Sequence, residues 1–237
     1  MTVLHLLALH IPDGFLSNPV AAVCWLPTLL AVAIGLRRAS SAIDERRVPL
    51  LGVTAAFVFA AQMLNFPVAG GTSGHFLGAA LAAILLGPWV ACVALSVVIA
   101  IQAFVFADGG ITSLGANVLN MGVVGALLVG YLMLWTRDVL PRSRAVLLGV
   151  IAVGSWTAVM AGALATSIEL GVSGTVPFST VLPAMLGVHA LIGIGEAVIT
   201  VAAVGAVLSL RPDLIAVRDL TSAELGVPAV GATPEGA

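Results

Sequence analysis

The sequence contains no lysine among its 237 residues. A P-loop needs a lysine to reach the nucleotide phosphates, and Schiff-base chemistry needs one for its amine. Both are excluded, and if ATP drives work by this chain, another chain hydrolyses it. Charge of either sign is scarce, 8% of residues against about 25% in a soluble domain. With 60% hydrophobic residues the chain has too little polar surface to face water, and the bilayer is the solvent that suits it. The two cysteines, Cys24 and Cys92, both lie inside apolar runs and read as small core residues, not as a disulfide or a metal pair. There is no H-E-x-x-H metalloprotease motif and no G-x-S-x-G nucleophile motif. The nine arginines read as topology signals and make no basic patch for nucleic acid.

What is present is a series of apolar runs. A spanning helix needs about 20 mainly apolar residues, and spans are predicted near 19–36, 50–66, 75–87, 89–107, 114–136, 145–168 and 181–209. The third is short and meets the fourth at Gly87-Pro88, which leaves it as a half-helix or a tilted span buried by its neighbours. The expected fold is therefore an all-α integral membrane protein of about seven transmembrane helices. Every arginine lies in one of three segments: Arg37, Arg38, Arg46 and Arg47; Arg137, Arg142 and Arg144; Arg211 and Arg218. Seven spans put these segments on one side, and the positive-inside rule makes that side cytoplasmic. The N-terminus is then outside and the C-terminus cytoplasmic. Residues 1–9 form an N-terminal extension, 10–210 a transmembrane domain, and 211–237 a polar cytoplasmic tail expected to be loose. The extension, MTVLHLLAL, is too short for a signal-peptide core and lacks a basic start.

The outer segments carry the unusual chemistry: LHIPDGFLSNP, PVAGGTSGH, ADGGITS and ELGVSGTVPFS. His10 precedes Pro12-Asp13-Gly14, strong turn chemistry that can fold the N-terminal segment back over the helices; the plainer reading is an exposed histidine on a flexible end. His75 follows a glycine-rich run at the outer end of the third span, where Ser73 or Thr72 is placed to cap the helix. It reads either as a ligand or as a polar residue at the interface. His189 and Glu196, seven residues apart in the last span, share one helix face. They must be buried in protein or paired, and a structural pair locking two helices is weighed against a supporting or proton-linked role. Asn117 and Asn120 share a face as helix bridges or as donors orienting ligands. Asp13 and Asp108 read by default as solvated loop carboxylates. Imidazole suits nickel, cobalt, copper and zinc, so a metal site is plausible from the residues but not specific. One tyrosine and four tryptophans favour an ion over a ring-bearing ligand.

Four motifs in order then carry a resemblance: His10-Ile-Pro-Asp-Gly-Phe-Leu16, Gly71-Thr-Ser-Gly-His75, Asp108-Gly-Gly-Ile-Thr-Ser-Leu-Gly-Ala-Asn117 with Asn120, and His189-Ala-Leu-Ile-Gly-Ile-Gly-Glu196. From His10 to about Ser209 the chain resembles the cobalt/nickel substrate-binding membrane component of energy-coupling-factor transporters, the CbiM/NikM family. The resemblance implies Ni2+ or Co2+ as transported substrate. It also implies a scaffold transmembrane subunit, ATPase subunits and a small auxiliary membrane protein as partners within membrane lipid, with uptake serving nickel enzymes or cobalamin synthesis. Chains of this family look to begin Met-His. The ion is held by the terminal amine, the backbone nitrogen and imidazole of that histidine, and a second histidine matching His75. Four nitrogens in a plane suit Ni(II). Here residues precede His10, and two explanations follow. In the first, translation starts at Leu9, read as initiator methionine. In the second, the extension is real and His5, His10 and His75 form a three-imidazole site. Asp13, Ser73, Asp108, Asn117, Asn120, His189 and Glu196 are assigned to supporting roles. The reading from a different class is an intramembrane metal-dependent hydrolase using His189 and Glu196. A structural membrane protein without a ligand is the third.

Overall fold

The computed structural model describes residues 10–42, 45, 47–64, 66–68, 72–141 and 143–216. Five stretches of helix are long and apolar enough to cross a bilayer. They are α1 (Asn18–Ala42), α4 (Pro88–Phe106), the continuous helix through α5 (Leu114–Asn117) and α6 (Gly125–Val139), α7 (Arg144–Val172) and α8 (Phe178–Leu210). Two apolar helices are shorter: α2 (Val48–Gln62), 15 residues, and α3 (Ala79–Leu86), 8 residues. The expected third span thus contains a helix of about 12 Å. The residues before it, 75–78, are neither helix nor strand. At most about 3.3 Å per residue, 74–78 adds up to about 16 Å, so together they cover nearly the thickness of a hydrocarbon core, about 30 Å. Every residue from 74 to 86 is buried, which is what irregular backbone needs at membrane depth.

Two further departures from the sequence reading concern the same region. Phe66–Val68 (β1) and Thr72–Gly74 (β2) form a small antiparallel hairpin, the sole sheet among the described residues of an otherwise helical fold. Neither Ser73 nor Thr72 caps α3. Ser73 pairs with Pro67 in the hairpin, and the N-cap position is Gly78, at φ +74°. The Ser73 side chain lies outside the described residues.

The chain turns sharply where its composition says it should. Gly87 (φ +84°) and Pro88 at the start of α4 break α3 from α4, proline being tolerated where a helix begins. Ser143 accepts a hydrogen bond from Val146 N–H at the start of α7. Between Asn117 and Gly125 the helix widens into a π-helical stretch, Val118–Val124, a rare form that is frequent at functional sites. Gly125 sits where an added Cβ would lie 2.7 Å from Ala79 Cβ, which lets α3 pack closely on α6 as small residues do in membranes. Leu26, Leu30, Val97, Val105, Leu191 and Val198 point outward, an apolar surface made for lipid.

At one end of the bundle the arginines gather contacts. The Arg38 guanidinium lies 4.7 Å from the Trp89 ring centre, and Arg144 donates to Gly205 O and Ser209 Oγ. Arg46, Arg142 and Arg218 lie outside the described residues. Past α8, Pro212–Leu214 forms a 3-10 turn, Ile215 is buried, and Ala216 N–H donates to Ile84 O. The first residues assigned to a loose tail are therefore held against α3; 217–237 lie outside the described residues.

Candidate metal centre

The opposite end is built around residues 10–17. Pro12-Asp13-Gly14 turns the chain, with Gly14 at φ +82° and Phe15 N–H bonded to Pro12 O. The segment becomes a strap laid over the bundle. Asn117 grips it by the backbone. Its Oδ1 accepts from Ile11 N–H at 2.7 Å and its Nδ2 donates to Ile11 O at 3.1 Å. Gly110 N–H donates to the same Ile11 O at 2.8 Å, and Ser113 Oγ donates to Pro12 O. Asp13 Oδ1 accepts from both Thr112 N–H and Thr112 Oγ. These bonds from Thr112, working against slight burial, hold the Asp13 carboxyl below its ordinary 3.8. Thr175 Oγ donates to Phe15 O, and Ser173 Oγ accepts from Ser17 N–H, so the α7–α8 turn pins the far end of the strap. Gly110 is required for this fit, because a Cβ there would sit 2.6 Å from Asp13 Oδ1.

The strap delivers His10 into the protein. His10 is 2% exposed and His75 fully buried, and their ring centres are 4.6 Å apart with planes tilted by 50°. His10 Nδ1 lies 3.1 Å from Asp108 Oδ1, an ion-pair distance without hydrogen-bond alignment. Burial works against the Asp108 charge, yet attraction from His10 and then His75 outweighs it and holds the carboxyl below 3.8. His75 is oriented differently. Its Nδ1 is 2.8 Å from Phe76 O, so the proton belongs on Nδ1 and Nε2 carries the lone pair. Among the described residues no hydrogen-bond partner meets His10 Nε2 or His75 Nε2, though both are buried. A buried polar atom without a partner is costly, and such atoms call for an explanation.

The loop bearing His75 is fixed from below. Glu196 Oε2 accepts from Leu77 N–H at 2.7 Å and Oε1 from Gly78 N–H at 2.8 Å. Gln62 Nε2 donates to Leu77 O. Glu196 and His189 share the buried face of α8 as expected, but they do not bond to one another. Glu196 locks α8 to the segment before α3, while His189 Nδ1 meets Met185 O of its own helix. Glu196 is thus engaged with the backbone of Leu77 and Gly78 and is not paired with His189, the arrangement the hydrolase reading would use.

Asn120 faces away from the strap. Its Nδ2 donates to Glu169 Oε2 at 2.7 Å and to Thr166 Oγ at 3.2 Å, and Cys24 Sγ donates to the other oxygen of Glu169. Glu169 is a residue the sequence reading passed over. It was placed in an outer loop because the apolar run thins at 168, but α7 continues to Val172 and buries it. The available signal was a lone carboxylate at the edge of an apolar run. Thr112, Ser113, Ser173 and Thr175 also escaped notice, since ordinary hydroxyl loop residues carry no distinguishing pattern. Leu9 and His5 lie outside the described residues.

Among the described residues no three groups from His, Cys, Asp and Glu are arranged as a complete metal-ligand set. The centre offers two buried imidazoles with bare nitrogens, one of them beside a carboxylate. Known proteins agree with this chemistry. A family model described as "Cobalt uptake substrate-specific transmembrane region", CbiM, matches residues 10–214. The chain is 34% identical over 221 residues to the cobalt transport protein CbiM of Listeria seeligeri, covering 88% of each. It is 36% identical over 227 residues to the fused nickel transport protein NikMN of Rhodobacter capsulatus, covering 89% of this chain and 65% of that one. A crystal structure of a truncated transition metal transporter superposes with a TM-score of 0.76 at 33% identity, covering 84% of this chain and 98% of the other. The apolar helical frame, the matching family model and the solved transporter define the membrane component of a cobalt/nickel uptake transporter rather than an enzyme. The chain belongs to the CbiM/NikM family.

Proposed function

We propose that this chain captures Ni2+ or Co2+ at the outer face of the membrane, with His10 and His75 as imidazole ligands through Nε2. The observation that carries the reading is the pair of buried rings 4.6 Å apart whose Nε2 atoms have no partner among the described residues. Asp108 sits behind His10 and Phe76 O behind His75, the supporting partners that fix ring orientation and raise ligand basicity. The remaining donors come from the backbone at His10 and from the segment before it, where His5 and an amine at residue 9 are the candidates. A planar nitrogen set favours Ni2+, and a looser three-imidazole set relaxes the choice toward Co2+.

The membrane arrangement is a seven-crossing one, in which residues 74–86 make the third crossing as a broken span and α2 the second. The strap and its centre face outward and the arginine-bearing ends face the cytoplasm. Support comes from the gathering of the described arginines at the end remote from His10 and from the positive-inside rule. The chain carries no lysine for a P-loop, so ATP hydrolysis falls to ATPase subunits joined through a scaffold transmembrane subunit, with a small auxiliary membrane protein completing the transporter.

Calorimetric titration of Ni2+ or Co2+ into the detergent-solubilised chain tests the capture site. His75→Ala and His10→Ala should each lower affinity by about 100-fold or more, beyond what losing a supporting partner costs. Native affinity in either variant would overturn the assignment.

A further inference from the structure

Glu169 is a buried carboxyl to which capture gives no task. It lies in the last turn of α7, 8% exposed, with both oxygens engaged. Oε2 accepts from Asn120 Nδ2 at 2.7 Å and Oε1 from Cys24 Sγ at 3.4 Å. Thr166, one turn earlier on α7 and fully buried, takes a second bond from Asn120 at 3.2 Å. A carboxyl inside a membrane helix is expensive and marks function by default.

The three elements joined at Glu169 share one property: each holds the strap. α1 continues it, since Asn18 follows Ser17 directly and Cys24 stands within the first two turns of that helix. The helix that carries Asn120 also carries Asn117, one turn earlier, whose amide takes both the N–H and the C=O of Ile11. α7 supplies the far grip. Glu169 O accepts from Ser173 N–H at 2.9 Å, and Leu170 O accepts from Thr175 N–H at 3.2 Å. Ser173 and Thr175 are the residues that meet Ser17 N–H and Phe15 O. The near grip, the far grip and the exit of the chain from the strap thus converge on one side chain. Apolar packing around it is non-directional, whereas the bonds to Glu169 fix the register of each helix against the next.

We infer that Glu169 is a positioning residue for metal capture: it sets the spacing between the two grips on the strap, and through it the place of His10 beside His75. This rests on the capture reading. It adds that His10 is placed by a side chain that bonds to neither imidazole.

The test titrates Ni2+ calorimetrically into the full chain in detergent, beside hydrogen exchange of the ion-free protein. Glu169→Ala should lower affinity about tenfold, the lower end of what losing a supporting partner costs. Exchange should rise at Ile11 and Ser17 together, because both grips slip, whereas Asn117→Ala frees the Ile11 end alone. Met133 is buried on α6, toward the arginine end. Met133→Ala opens a cavity there and should lower the melting temperature while leaving affinity within about threefold of native. Exchanging the partners gives a second route that does not depend on Glu169→Ala folding. Asn120→Asp alone sets two carboxyls against each other and should weaken binding about as much. Asn120→Asp combined with Glu169→Gln again faces one amide with one carboxyl, and should recover affinity to within about threefold of native. Native affinity in Glu169→Ala or in Asn120→Asp overturns the proposal, as does an exchange rise confined to one grip. It is also overturned if Met133→Ala loses as much affinity for the same fall in melting temperature, or if the exchanged pair binds no better than Asn120→Asp. Failure of the capture reading looks different: His75→Ala and His10→Ala would bind normally.

Discussion

The frame around the centre and the centre itself are both buried and polar, yet they are finished in opposite ways. At two positions of the frame, side chains spend themselves on backbone. Asn117 spends its acceptor and a donor on Ile11, and Glu196 spends both oxygens on Leu77 and Gly78. In the centre, the Nε2 atoms of His10 and His75 have nothing among the described residues to bond. An unsatisfied buried group costs about 1–3 kcal/mol, and the bonds of Asn117 and Glu196 on either side of the centre help to offset that cost. The stabilising bonds lie one to three residues away from those bare nitrogens.

That contrast can be broken from either side. The largest effect is expected at the centre, where His75→Ala should abolish measurable Ni2+ binding in calorimetry while raising or sparing the melting temperature of the ion-free chain. Next comes Glu196→Ala. It strands two backbone amides and should cost about 2–5 kcal/mol, read as a lower melting temperature with and without metal. Asn117→Ala should weaken Ni2+ binding about 10- to 100-fold by releasing the strap. Hydrogen exchange at Ile11 should rise with it, whereas Asn117→Asp keeps the acceptor and should lose less. Gly110→Ala should act in the same direction by pushing on Asp13, with an affinity loss of about tenfold.

The smallest effect concerns pH. The folded carboxyl of Asp13 titrates below its ordinary 3.8. Its contribution to holding the strap is therefore complete above 3.8 and is lost only as the pH falls further, through the lower folded value. Exchange protection of residues 11–14 should be unchanged between neutral and mildly acidic solution and decline only in strong acid. Asp13→Asn, which cannot titrate, should remove that decline while altering protection at neutral pH by no more than about threefold.

Much of this was legible in the residues. His10, Asp13, His75, Asp108 and Asn117 were each singled out, and the structure brings them to one place because the Pro12-Asp13-Gly14 turn and the Gly109-Gly110 loop read as close-approach backbone. Asn120 bridges helices as one of its two readings has it, but apart from Asn117. It shares sequence proximity with Asn117, but the π-helical stretch beginning at Val118 accompanies its turn toward Glu169, and nothing in the composition announces i→i+5 bonding. The third expected span differs from its reading for a physical reason as well. Hydropathy counts apolar residues and is blind to whether they are coiled or extended, so 75–87 looked short when its first residues in fact run as open chain. His189 and Glu196 were seen as one pair since they share a face. What separates them is the backbone of Leu77 and Gly78, a partner without side-chain chemistry and hence without a sequence signal.

Asn117 has a consequence beyond affinity. By taking both the N–H and the C=O of Ile11 it imitates the neighbouring strand of a sheet, with one side-chain amide standing in for a peptide unit. Recognition of that position is therefore indifferent to which residue supplies the backbone. Any apolar side chain that fills the space of Ile11, 1% exposed, satisfies the same contact, and proline alone is barred because it has no N–H to give. The strap is held there as polypeptide rather than by the identity of a side chain.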